Sequence, residues 1–242
     1  MSFKSYAMSK GIYEIKDLSK NKHKVCTDET VCEHINILYD LHERLKGCSI
    51  SINNLVNKMV EDFKVSKIFL EQDIERYKLN SKNDFENNVS KFGNEALERI
   101  KKILDIISKS NYESMILRSM KHREICVYNV NFNEIQMDFK TNIYVKNINQ
   151  FCENITEYDY IKFFTKVKRA YKKIDFMKCC AYVCGKEKFN IDSYNFILAC
   201  VSFPYEFIRV ISKYRDLGRE LSNYSKECDF DNVLKKDGDS LV

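Results

Sequence analysis

Apolar residues recur at intervals of three and four over most of the chain, and only a short central stretch switches to alternation. From Thr30 to Leu45 the positions Val31, Ile35, Leu38, Leu41 and Leu45 form one stripe, predicting an amphipathic helix that Gly47 ends. A second helix is predicted from about Ile52 to Phe63 through Leu55, Val56 and Met59, then a break, then more helix from Ile68 to Tyr77. The polar run 79–84, LNSKND, reads as a loop. The clearest period comes next: Phe85, Val89, Phe92, Ala96, Ile100, Ile103, Leu104 and Ile107 share a face opposite Lys and Glu, predicting a long packed helix. A shorter helix is predicted over 111–120, NYESMILRSM.

The period then changes. Residues 124–130 (EICVYNV), 134–139 (EIQMDF) and 142–148 (NIYVKNI) are short, rich in β-branched and aromatic residues, and separated by polar breaks. They predict three strands, the last two joined as a hairpin through Phe139-Lys140-Thr141-Asn142. Helices resume at about Glu157, where Tyr158, Ile161, Phe164, Val167 and Tyr171 share a face, and continue over 175–184 and 192–203. Pro204 opens a final long helix to about Leu217, since Pro suits a first helical turn. From Asn223 onward the chain is polar, and its last seven residues are expected to fray. The expected fold is α+β, predominantly α.

Composition agrees with that class. Six Gly and one Pro among 242 residues are too few for the many tight turns of an all-β fold. Lys and Arg number 40 against 35 Asp and Glu, a net charge of +5, with both signs interspersed. No Cys/His finger spacing and no aromatic RNP pattern occurs, so nucleic acid is not the expected partner. The opening residues MSFKSYAMSKGIYEIKDL lack the apolar core of a signal peptide, and no window reaches a membrane span, so a protein that stays inside the cell is expected. Ten unevenly spaced cysteines in such a chain are expected to be reduced.

Cys179, Cys180 and Cys184 form a C-C-x-x-x-C cluster without a partner pair elsewhere, which favours buried apolar thiols over a zinc site. Of the four histidines, His23, His34, His42 and His122, only His34 and His42 share a predicted helix, and their spacing of eight does not make an i, i+4 metal pair. A nucleophilic pair of Cys126 with His122 has no support in the spacing. No cofactor is expected.

Three stretches resemble the CotS-type spore coat proteins, a kinase-like family related to the aminoglycoside phosphotransferases. They are SNYESMILRSMKHREICVYNVNFNEIQ (110–136), NIYVKNINQF (142–151) and LACVSFPYEFIRVISKYRD (198–216). The likeness covers most of the chain from about Tyr6. It implies the large lobe of a kinase fold over 23–222, preceded by a hinge-like strand and connection over 1–22 and followed by a polar tail over 223–242. It also implies a structural packing role for His42 within LYDLHERLKG.

The departures from the family carry the functional expectation. In kinase-like enzymes a loop H-x-D-x-x-x-x-N is followed, after a hairpin, by a metal-binding Asp. On this chain those places fall on Val127, Asn129 and Glu134, and the later acids on Asn147 and Asn149; Asn147 follows Glu134 by thirteen positions, as in the family. Asn129 has no basicity with which to accept a hydroxyl proton, and neutral Asn147 removes much of the attraction for Mg²⁺. A small lobe would need on the order of eighty to a hundred residues, and about twenty precede the first core helix. The resemblance therefore implies a non-catalytic protein in the mother-cell cytoplasm or the spore coat. Its partners would be other proteins, including coat proteins or further copies of itself. The alternatives are a residual ATP-dependent phosphotransferase completed in trans and a self-associating module of unrelated role.

Overall fold

A computed structural model describes residues 1–16, 18, 26–171, 173–216 and 228–242. Two helices and a strand open the order, α1 (Phe3–Ser9), β1 (Ile12–Glu14) and α2 (Asp28–Leu45), before β2 (Asn53–Asn54), α3 (Lys58–Leu79), α4 (Asp84–Lys109) and α5 (Tyr112–His122). The strands β3 (Ile125–Cys126), β4 (Ile135–Met137), β5 (Ile143–Val145) and β6 (Cys152–Glu153) form the centre of the chain. Helices α6 (Glu157–Ala170), α7 (Phe176–Glu187), α8 (Ile191–Val201), α9 (Tyr205–Asp216) and α10 (Phe230–Asp237) complete it. The class is α+β, predominantly α.

Helix α8 lies at the middle because the C-terminal half of its sequence has no polar face: Phe196 to Val201 are six consecutive buried residues. A helix apolar all round must be enclosed, and α4, α5, α6 and α7 surround it. Helices α3 and α4 form a tight hairpin beside it, where a Cβ on Gly93 would lie 2.7 Å from Ile74 Cγ1. No single helix among the described residues is long and apolar enough to cross a membrane.

Two three-stranded sheets, ordered β1-β5-β4 and β2-β6-β3, sit against this helical body. The hairpin of β4 and β5 is antiparallel with Ile135 opposite Val145, and Thr141 takes the left-handed conformation its turn requires. Pairing β1 in parallel with β5 uses residues more than a hundred positions apart.

Several expectations need correction. The strand expected within residues 1–22 is confined, among the described residues, to Ile12–Glu14, because Ser2 caps a helix ahead of it. Residues 52–57 are not helical: Asn53 and Asn54 pair with β6, and Asn57 turns left-handed before α3. No break divides α3. The tail is not simply polar. Phe230 and Val233 bury against α9, and the Leu241 N–H donates to Ser202 Oγ at 2.8 Å, so the last residues are docked. Asp237 fixes them further, its carboxylate accepting from the first free amides of α9, Glu206 at 2.8 Å and Phe207 at 2.9 Å. The domain limits drawn at residues 22, 222 and 223, the end placed at Leu217, and His23 lie outside the described residues.

Candidate functional site

The loop from Val127 to Glu134 is fastened at its first residue. Both oxygens of Asp159 accept from the Val127 N–H, at 2.9 and 3.1 Å, and Asp159 is fully buried in the first turn of α6. An acid belongs at a helix N-terminus, and here it is turned toward the loop. Tyr128 follows with φ +66°, and the Asn129 N–H closes a tight turn onto the Val127 carbonyl at 2.8 Å. Val130 is completely buried, while Phe132 packs against the rings of His34 and Phe163. These wedges leave the side chains of Tyr128 and Asn129 on the outside of the loop.

Asp159 is itself held by His42. The imidazole Nε2 lies 3.0 Å from Asp159 and Nδ1 2.9 Å from Glu187, whose carboxylate also accepts from Tyr160 Oη at 2.6 Å. Burial alone would depress the imidazole pKa, but hydrogen bonds to two carboxylates outweigh it and hold it up at about 10. His42 is thus buried and packed edge-on against Tyr160, and it carries a charge as well. The sign of the linkage follows. A group with a raised folded pKa stabilises fully below its unfolded value near 6.5, and that stabilisation is lost as pH climbs through about 10. Between pH 6 and 8 the unfolded chain releases the proton and the folded one keeps it, so about 2 kcal/mol of stability should disappear. Urea denaturation at both values reads the loss, and a His42 ring nitrogen signal still imidazolium at pH 8 assigns it.

Around Asn129 the structure gathers cations. Lys166, one helical turn beyond Lys162 on α6, donates to Asn129 Oδ1, and burial lowers its pKa while Glu134 opposes that shift. Lys146 Nζ lies 2.9 Å from Glu134 Oε1 across the hairpin. Asn129, Glu134, Lys146 and Lys166 therefore form one neighbourhood. Asn147 is engaged with its own turn: its Oδ1 accepts from the Asn149 N–H at 3.0 Å, capping the short 3₁₀ turn Ile148–Gln150. Val127 is a buried apolar residue with only its backbone in use. No family model and no curated protein matches the chain.

Asp159, Lys166, Lys146 and Glu187 were not anticipated from the sequence. Their only signals were an acid pair, Glu157 and Asp159, in the first turn of α6 and the i, i+4 lysines on the same helix. The other candidates resolve simply. Cys126 is buried with its thiol on the Ile155 carbonyl, and burial pushes its pKa well up, whereas His122 is exposed, so the two make no nucleophilic pair. Cys179 and Cys180 are buried and Cys184 half-buried on α7.

Proposed function

We propose that the chain is a kinase-like protein without phosphotransfer chemistry that works by contacting other proteins, as a structural or assembly component of a spore coat. The observation that carries this reading is the Asn129 amide accepting from Lys166 where a general base would stand. A carboxylate there takes the acceptor hydroxyl's proton, whereas an amide oxygen, here already accepting from an ammonium, lacks the basicity. The metal side is equally poor. Glu134 is shared with Lys146, and Asn147 is neutral and committed to its own turn, whereas Mg²⁺ needs hard anionic oxygens.

The kinase-like ancestry is supported by the order of elements, helices around a central strand cluster, and by a loop whose first amide is fastened to a buried acid from the following helix. Contact with partners is supported by apolar side chains left in water. Phe139 at the hairpin tip is 92% exposed, and Leu117 and Met120 on α5 are 60% and 65% exposed. Leu117 and Met120, three positions apart, share one face of α5, and adjacent exposed apolar side chains favour an interaction surface. The spore setting rests on the sequence resemblance alone.

Thermal unfolding with Mg·ATP tests the reading. At about 10 mM nucleotide a site weaker than that concentration adds under roughly 0.4 kcal/mol, so the melting temperature should move by less than about 2 °C. A rise of several degrees would favour the residual phosphotransferase instead.

A further inference from the structure

We propose that a pocket between α3, α6 and α9, beside the loop that carries Asn129, binds a small organic carboxylate with a flat apolar body. The inference does not depend on kinase ancestry, because every group in it is read from the pocket itself. The cavity measures about 270 Å³. That is just under the roughly 300 Å³ at which drug-sized sites begin, leaving room for one ring and excluding a nucleotide.

One wall is apolar. Phe63 and Phe203 stack at 3.9 Å, and Tyr205 stands beside them with its hydroxyl on Met59 Sδ at 4.0 Å. The opposite wall carries the donors. Tyr158 and Lys162 lie one turn apart on α6 and line the same cavity, joined by Tyr128 from the loop.

Lys162 distinguishes this pocket from a packing gap. Its ammonium sits 5.1 Å above the Tyr158 ring and 6.0 Å from the Tyr128 ring, and among the described residues it has no hydrogen-bond acceptor and no ion pair. Aromatic faces compensate only part of the hydration that a half-buried ammonium gives up. Burial first, and Arg169 second, push its pKa down. Asp159 is already committed to Val127 and His42, and Asp62, on the pocket's rim, makes no ion pair with Lys162.

The Tyr158 hydroxyl likewise has no acceptor among the described residues, and burial holds its proton firmly on, so it remains a neutral donor. Two donors one helical turn apart, one of them cationic, match the two oxygens of a carboxylate. Lys58 and Lys162 outnumber Asp62 on the lining, while Arg209 is neutralised by Glu206 at 2.6 Å, so a cationic ligand is disfavoured.

Titration calorimetry of the full chain with phenylacetate, up to about 20 mM, tests the assignment. Expected is a dissociation constant in the millimolar range or below. Phenylacetamide and phenethylamine, of the same shape without the negative charge, should bind at least about tenfold more weakly, as should phenylacetate to Lys162→Met. Tyr158→Phe, which removes only the hydroxyl, should weaken phenylacetate by a few fold. The melting temperature of each variant shows that it is folded, and Tyr158→Phe keeps the test decisive if Lys162→Met is not. Equal affinity for acid and amide, undiminished binding by both variants, tighter binding of phenyl phosphate, or no heat at about 20 mM would each overturn the proposal.

Discussion

Replacing His42 by Leu should destabilise the protein by about 3–5 kcal/mol at pH 7, the usual consequence of removing one member of a buried charge set. For a chain of this length that lowers the melting temperature by roughly 6–20 °C. The cause is not lost packing, since Leu nearly fills the space. Asp159 is fully buried and the Glu187 side chain is 7% exposed, and each relies on the imidazolium for charge compensation. Without it, Asp159 retains the Val127 amide and Glu187 retains Tyr160, hydrogen bonds that satisfy geometry without cancelling charge.

That account fixes the variant's pH behaviour. Deprived of the cation, the buried carboxylates titrate upward, so His42→Leu should regain stability as pH falls from 7 toward 5. Urea midpoints across that range decide the matter. A loss below about 1 kcal/mol, or no recovery in acid, would mean that the imidazole is neutral and that Asp159 is held by the loop amide alone.

The helices were legible where burial and periodicity coincide. In α4 the apolar positions lie three and four apart, and Phe85, Val89, Ile100 and Ile103 are completely buried. In α3 the stripe is blurred because Val65 and Ile68 face water at 48% and 51% exposure, which made a continuous helix look broken. Its true start was hidden too, since Leu55 and Val56 are apolar while the neighbouring asparagines pair with β6. The parallel partner of β5 could not be read locally, being a segment near the other end of the chain. In α10 only Phe230, Val233 and Leu234 are apolar among polar and charged residues, too few to declare a helix, although Asp229 caps it and Asp237 ties it to α9.

The candidate site divides along the same line. Asn129, Glu134 and Asn147 were singled out by register, because a loop and hairpin of fixed spacing keep their order in sequence, and Lys166 links the first two. The partner of Asn129 comes from α6, whose face toward the loop is set by tertiary packing. Nothing in the spacing around Asn129 announces that Lys166 will occupy it. The same packing leaves Lys162, one turn earlier, without an acceptor among the described residues.

A second buried charge set governs how firmly this region is held. Arg118 on α5 grips two acids at once: Nε and Nη2 reach Glu124 at 2.8 and 3.2 Å, and Nη1 and Nη2 reach Glu157 at 2.9 and 2.6 Å. Glu157 is fully buried and also accepts from Ser193 Oγ on α8, while Glu124 accepts from the Thr156 N–H. The guanidinium thereby ties α5 to the strand entering the loop and to the start of α6, one residue pair ahead of Asp159. Arg118→Met should lower stability by about 3–5 kcal/mol, with two carboxylates left facing each other. Arg118→Lys should recover less than half, because a point charge cannot make both forked contacts. Adding Glu157→Gln to Arg118→Met should cost at least about 1 kcal/mol less than the sum of the single changes, since the acid's penalty disappears once it is neutral. Denaturant midpoints give the energies, and faster hydrogen exchange at the Val127 amide in Arg118→Met would show that the clamp also steadies the loop. Additive losses with an unchanged Val127 exchange rate would instead make Arg118 a packing residue whose charges are screened by water.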